Sequence, residues 1–196
     1  MMCNDYMYRR GGAALNNCAF CSTEHLHINF SEPFCFLMDM SMLGVGVGGD
    51  TKGAGKVTIQ EPVIEDKIFV VEDSREGWGD LLRTVLNAYV GEGKMPAKIS
   101  YDQVRPLGTP IKSFGGVASG PGPLIEMVDS IKKLLDKRIN DKITSGDIVD
   151  IFNLVGRCVV SGGVSRTAEI MFGEHDDKEF MELKDPEKNR EELMHH

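Results

Sequence analysis

Residue types able to do chemistry gather in four short stretches. The first is Asn16-Asn17-Cys18-Ala19-Phe20-Cys21-Ser22-Thr23, with a thiol at what reads as the start of a strand. The other three are rich in glycine: Gly44-Val45-Gly46-Val47-Gly48-Gly49, the run from Arg105 to Gly116, and Ser161-Gly162-Gly163-Val164-Ser165-Arg166. Glycine lets a backbone approach a ligand closely, and cations held in such loops suit phosphate oxygens. A cysteine followed by three loops of this kind points to nucleotide chemistry at a thiol.

Each stretch also has a plainer reading. Cys18-x-x-Cys21 has the spacing of a redox couple or half a zinc site. A thioredoxin-type pair needs a helix N-terminus, whereas both flanks here look extended, and strand residues three apart point to opposite faces. His25, His27 and Cys35 could add zinc ligands, but no second pair stands at ribbon or finger spacing, so no metal site is expected. Cys3, Cys35 and Cys158 read as small buried hydrophobes. Gly44-x-Gly46-x-x-Gly49 matches the dinucleotide fingerprint in letters, yet that fingerprint needs a helix directly after it. Asp50-Thr51-Lys52-Gly53-Ala54-Gly55 follows instead. These glycines therefore serve either a ligand or close packing against another strand. Arg105 and Lys112 lie in a segment stiffened by Pro106 and Pro110, which suits a triphosphate; solvated surface cations are the alternative. Gly162 to Arg166 reads as a flexible turn ending in an arginine able to reach a base or phosphate.

The elements that must position these residues follow from periodicity. Residues 15–23 look like a buried strand, and Ser31 caps a helix with Pro33 in its first turn, running through Phe34, Leu37 and Met38 to Leu43, that is apolar nearly all round. The glycine–valine alternation predicts a short strand opening into a tight loop, and Lys56–Gln60 and Lys67–Val71 read as further strands. Asp73-Ser74-Arg75-Glu76 has capping-box spacing before a helix carrying Trp78, Leu81, Leu82, Val85 and Tyr89 on one face. Residues 105–123 are too rich in glycine and proline for regular structure. Pro123 opens a helix with Leu124, Val128, Ile131 and Leu135. Thr144 or Ser145 caps another with Ile148, Ile151, Phe152 and Val155. Arg157–Ser161 and Thr167–Phe172 read as strands around the Gly-Gly turn. Strands alternating with helices make this an α/β chain.

Composition sets the limits. A net charge of -8 argues against a nucleic-acid polymer as partner, although one nucleotide needs only a few local donors. No apolar run reaches membrane-spanning length and no leader pattern is present, so no membrane association and a cytoplasmic location are expected. Five cysteines at irregular spacing fit reduced thiols better than a disulfide framework. Neither end reads as a domain end, and the 196 residues are expected to form a single internal portion of a longer protein.

In this order the segments resemble the adenosylcobalamin-dependent ribonucleotide reductases. The runs that carry the resemblance are Leu15 to Phe20, Met38 to Gly48, Asp50 to Gly53, Asp73 to Trp78, Arg105 to Lys112, Phe114 to Leu124 and Ser161 to Glu169. Residues from about 9 to 185 are covered. The resemblance implies the first half of the family's catalytic α/β barrel, incomplete without the rest, with residues 50–104 as an insertion between a barrel strand and an effector-phosphate segment. It implies adenosylcobalamin as cofactor of the parent enzyme, a ribonucleotide as substrate, a deoxynucleoside triphosphate or ATP as effector, and a thioredoxin-type reductant. Cys18 matches one of the two cysteines that donate electrons to the ribose. Asn17 and the backbone of Leu43, Gly44, Val45 and Gly46 match positions near the substrate. Arg105 and Lys112 match residues that hold the effector triphosphate, and Gly162, Gly163, Val164, Ser165 and Arg166 match the loop that relays effector identity to substrate choice.

The departures are as specific. There is no Asn-x-Cys-x-Glu motif for the radical cysteine, Cys158 does not match the second reducing cysteine, and no C-terminal thiol pair is found. Cys21 has no assigned role. By itself the chain is not expected to turn over. The competing expectations are a non-catalytic deoxynucleotide-binding module using Arg105, Lys112 and the Gly162–Arg166 loop, and a zinc module around Cys18, Cys21 and Cys35.

Overall fold

The computed structural model describes residues 17–110, 117–161 and 167–185. Both of its sheets are parallel. The larger has three strands in the order β1 (Cys18–Cys21), β2 (Gly46–Asp50) and β5 (Glu169–Phe172). Register pairs Cys18 with Gly46 and Cys21 with Gly49 on one side of β2, and Val47 with Glu169 and Asp50 with Phe172 on the other. Parallel neighbours need a crossover element between them. Helix α1 (Glu32–Met42) makes the first crossover, from β1 to β2.

Residues Phe34, Leu37, Met38 and Ser41 of α1 recur at helical spacing and are buried. Phe34 meets Phe30 and Phe152 edge-on, with ring centroids 5.9 and 5.5 Å apart. Phe152 belongs to α4 (Ser145–Val160), whose first turn is fixed by a capping box: Thr144 accepts from the Asp147 N–H, and Asp147 accepts from the Thr144 N–H. Helix α4 packs on α1, on β5 and on α3 (Gly122–Asp136).

The second sheet is one βαβ unit. Strand β3 (Ile64–Val70) leads through α2 (Arg75–Ala88) to β4 (Met95–Ser100), with Ile64 opposite Met95 and Val70 opposite Ser100. Helix α2 turns Leu81, Leu82, Val85 and Leu86 into the core, where it meets α1 and α3. A short α5 (Lys178–Glu182) lies against α4.

The α/β class expected from the sequence is therefore the one observed, with local corrections. Arg157–Val160 is the last turn of α4, not a strand. Val155 and Val159 continue the buried face begun by Ile148 and Phe152, and that packing outweighs the strand preference of two adjacent valines. Lys56–Gln60 is not a strand of a sheet, although it is extended. Val57 and Ile59 are buried, and the Ile59 N–H donates to the Asp141 carbonyl while the Val57 carbonyl accepts from Ile143. Strand β4, with Pro96, Lys94 and Lys98 in and around it, carries no clean alternation and escapes a pattern reading. Ser74, not Asp73, caps α2 by accepting from the Gly77 N–H at 2.9 Å.

Candidate functional site

Three segments meet at the end of the larger sheet where its strands begin. Asn17 and Cys18 open β1; Leu43, Gly44, Val45 and Gly46 form the turn from α1 into β2; Thr167 and Ala168 lead into β5. The turn is made by Gly44, whose φ of +81° suits glycine, and by the Leu43 and Gly44 N–H groups donating to Met40 and Ser41 carbonyls. The Gly46 N–H then donates to the Asn17 carbonyl at 2.9 Å, and the Val47 N–H to the Ala168 carbonyl at 2.9 Å. The Thr167 hydroxyl donates to the Val45 carbonyl at 2.6 Å. Thus Cys18, Asn17 and the Leu43–Gly46 backbone, singled out in separate stretches of sequence, are neighbours.

Cys18 is exposed and free of any disulfide. It shares a face of β1 with Phe20, two residues on. That face of the sheet also carries exposed Ile170 and Phe172, and the Phe20 and Phe172 rings stand 6.1 Å apart. Beside Cys18 the paired Gly46 has no side chain, which leaves bare backbone next to the thiol. Cys21 points the other way, as three-residue spacing on a strand requires. Its thiol approaches the Pro33 carbonyl at 3.6 Å, and burial, then the Asp50 charge, pushes it up to about 12. Cys35 lies near the Gly79 carbonyl, also pushed up by burial to about 12. The three cysteines of the zinc expectation thus face separate surroundings, and no group of three or more His, Cys, Asp or Glu side chains gathers among the described residues.

At the opposite end of β1 and β2 a second polar cluster is structural. Asp50 is 5% exposed and receives the Ser22 hydroxyl at 2.6 Å, the Thr23 N–H at 2.8 Å and the Thr23 hydroxyl at 2.9 Å. Burial works to raise its pKa, but the donors from Ser22, Thr23 and the Lys52 N–H outweigh it and hold the carboxyl below its ordinary value. Thr23 also accepts from the Gly53 N–H at 2.8 Å. The loop after β2 is thereby a latched turn and not a helix start, which excludes the dinucleotide fingerprint on geometry.

Arg105 lies elsewhere, after β4, where its guanidinium is bonded to the carboxylate of Asp73 at the foot of α2. Lys112, Gly162, Gly163, Val164, Ser165 and Arg166 lie outside the described residues. Thr167, Ser41 and Asp73 had no place in the sequence reading of the site. Only the short sequence distance of Thr167 from the Gly162–Arg166 loop could have signalled it.

A family model described as the insertion domain of B12-dependent ribonucleotide reductase matches residues 47–135. An adenosylcobalamin-dependent ribonucleoside-triphosphate reductase from Euglena gracilis is 47% identical over 90% of this chain and 24% of its own length. A probable enzyme of the same description from Dictyostelium discoideum is 45% identical over 88% of the chain and 25% of its own. A crystal structure of a B12-dependent (class II) ribonucleotide reductase superposes with a TM-score of 0.79 at 27% identity, covering 98% of this chain and 33% of that one. The chain thus spans about a quarter to a third of the length of the proteins it matches. Together these likenesses support reading the chain as a fragment of a B12-dependent ribonucleotide reductase.

Proposed function

We propose that this chain forms part of an enzyme that converts ribonucleoside triphosphates to deoxyribonucleotides, and that Cys18 is one of its two reducing thiols. The observation that carries this reading is the exposed Cys18 thiol in register with the bare backbone of Gly46. Reduction at C2′ breaks the carbon–oxygen bond. The hydroxyl leaves as water, and two thiols give up two electrons and their protons to become a disulfide. Cys18 would supply one of them; the other has no match in these 196 residues. A thioredoxin-type reductant would restore the pair.

Asn17 and the Leu43–Gly46 backbone would hold the nucleotide beside the thiol. Arg105 and Lys112 would bind the triphosphate of a deoxynucleotide effector, and Gly162 to Arg166 would relay its identity to the site. When bound, adenosylcobalamin supplies the radical that starts the reaction. What this chain offers such chemistry is a thiol that is accessible and reduced; none of its residues is assigned to hold the cobalamin. We assign the larger sheet to the first half of a barrel whose remainder lies against the Phe20, Ile170 and Phe172 face, and residues 50–104 to an insertion. A cytoplasmic location accords with the absence, among the described residues, of any helix long and apolar enough to cross a membrane.

Cys18→Ser in the complete reductase tests the reading. It should leave substrate binding intact and abolish repeated turnover with a dithiol reductant. Repeated turnover at the normal rate would remove Cys18 from the mechanism.

A further inference from the structure

We infer that Thr167 is a positioning residue for substrate: its hydroxyl fixes the peptide plane between Val45 and Gly46, on which the nucleotide would rest. The inference depends on the function proposed above. It begins from the two ends of one peptide unit. The carbonyl of Val45 and the N–H of Gly46 belong to the same rigid plane. The carbonyl accepts from Thr167 at 2.6 Å, and the N–H donates to the Asn17 carbonyl at 2.9 Å. The plane is therefore pinned across the sheet, on one side by the residue before Cys18 and on the other by the residue two before Glu169.

The Val45 side chain is buried and its N–H donates to the Met40 carbonyl at 3.1 Å, which restrains the peptide before this plane. The plane follows Gly44, which is exposed, holds a positive φ and has nothing within 4 Å of the place a Cβ would occupy. Gly46 itself has no side chain to pack. A Gly-x-Gly segment is free to rotate its peptides unless hydrogen bonds prevent it; here Ser41 and Met40 hold the two peptides before the plane, and Asn17 and Thr167 hold the plane itself. The Thr167 hydroxyl in turn lies 3.4 Å from that of Ser41, which is fully buried on α1. One hydroxyl thus joins the approach to β5, the α1–β2 turn and the helix behind it.

Without the hydroxyl, the N–H end remains tied to Asn17 while the carbonyl end is released. The groups of Leu43–Gly46 that face the nucleotide would then sample several orientations. A loosened binding surface weakens ground-state and transition-state binding alike, which appears in KM and not in kcat. A purely structural role would lower stability without that split.

The test compares Thr167→Val, Thr167→Ser and Thr167→Ala in the complete reductase with each of the four ribonucleoside triphosphates. Valine keeps the shape and removes the donor; serine keeps the donor. T167V and T167A should raise KM roughly 5-fold, the scale of one neutral hydrogen bond, with kcat changed by less than about twofold. T167S should stay near wild type. A KM for T167V within about twofold of wild type, or T167S as impaired as T167V, overturns the inference. If T167V does not fold, T167A against T167S decides by the same criterion. Wild-type enzyme that reduces none of the four substrates would instead overturn the proposed function.

Discussion

The Phe152 ring occupies the space above Gly49 that any side chain there would need. A Cβ on Gly49 would lie 2.6 Å from Cε1 and 2.7 Å from Cζ of the ring, and 3.0 Å from the Met171 sulfur. This glycine serves packing of α4 on the sheet and not a phosphate. Gly49→Ala should destabilise the chain by about 1–3 kcal/mol, because the ring is fixed by Phe34 behind it. Gly79, inside α2 with nothing near its missing Cβ, gives the contrast. Gly79→Ala should stabilise by up to ~1 kcal/mol through helix propensity alone. Denaturant midpoints of the two variants check both, and a neutral G49A would mean that α4 does not sit on β2 as described.

Thiol chemistry should separate Cys18 from its neighbours. Cys18 is exposed, whereas burial pushes Cys21, Cys35 and Cys158 each up to about 12. At about pH 8 a thiol that titrates near 12 holds on the order of one part in ten thousand as thiolate, the reactive form. Among these four, native protein treated with iodoacetamide should be alkylated at Cys18 alone, and the other three should react only in denaturant. Peptide mass mapping reads the outcome. Equal labelling of Cys18 and Cys21 would place both thiols on one accessible face and revive a redox pair.

How much of this was legible in the sequence depended on the range of the forces involved. Helices α1 to α4 declare themselves through spacing and caps, since Leu81, Leu82 and Val85, or Ile148, Phe152 and Val155, follow from local geometry. The opposite orientation of Cys18 and Cys21 is likewise a property of a strand. The meeting of Asn17 with Gly46 and of Thr167 with Val45 is not local. It rests on a parallel sheet whose third strand is more than a hundred residues from the second, and no periodicity reports such pairing. The end of α4 misleads for the same reason, because Val159 and Val160 prefer strands locally while the core that holds Val159 in a helix comes from other elements. Asp73 has the spacing of a cap, yet it is taken by Arg105 thirty-two residues later.

Glu169 should impose a pH dependence of its own. Burial raises its carboxyl to about 7, and its Oε1 has no hydrogen-bond partner among the described residues. The unfolded chain titrates this group near 4.3. Between those values the folded state binds more protons than the unfolded one, so stability falls as pH rises. The loss is complete above about pH 7 and amounts to at most ~4 kcal/mol. Glu169→Gln carries no charge and should remove that slope. The difference in unfolding free energy between E169Q and wild type should shift in favour of the variant from about pH 4.5 to about pH 8. Parallel curves would mean that the carboxyl is solvated in the folded protein.

Asp73 competes with phosphate for Arg105 if the proposed effector role is correct. The pair is partly exposed, with side chains 38% and 29% accessible, so breaking it costs the protein well under 1 kcal/mol or so. An incoming triphosphate must nevertheless displace the carboxylate or bind a guanidinium whose charge is already compensated. Asp73→Asn removes the competing charge, and Ser74 keeps the α2 cap in place. The variant should bind a deoxynucleoside triphosphate roughly 2- to 5-fold more tightly than wild type, the range set by an exposed ion pair. Arg105→Ala should weaken the same binding and abolish the gain in the double variant. Calorimetric titration with each of the four deoxynucleoside triphosphates measures all three. Unchanged affinity in R105A would show that Arg105 and Asp73 only fasten the end of β4 to the start of α2, and would leave the triphosphate to be held elsewhere.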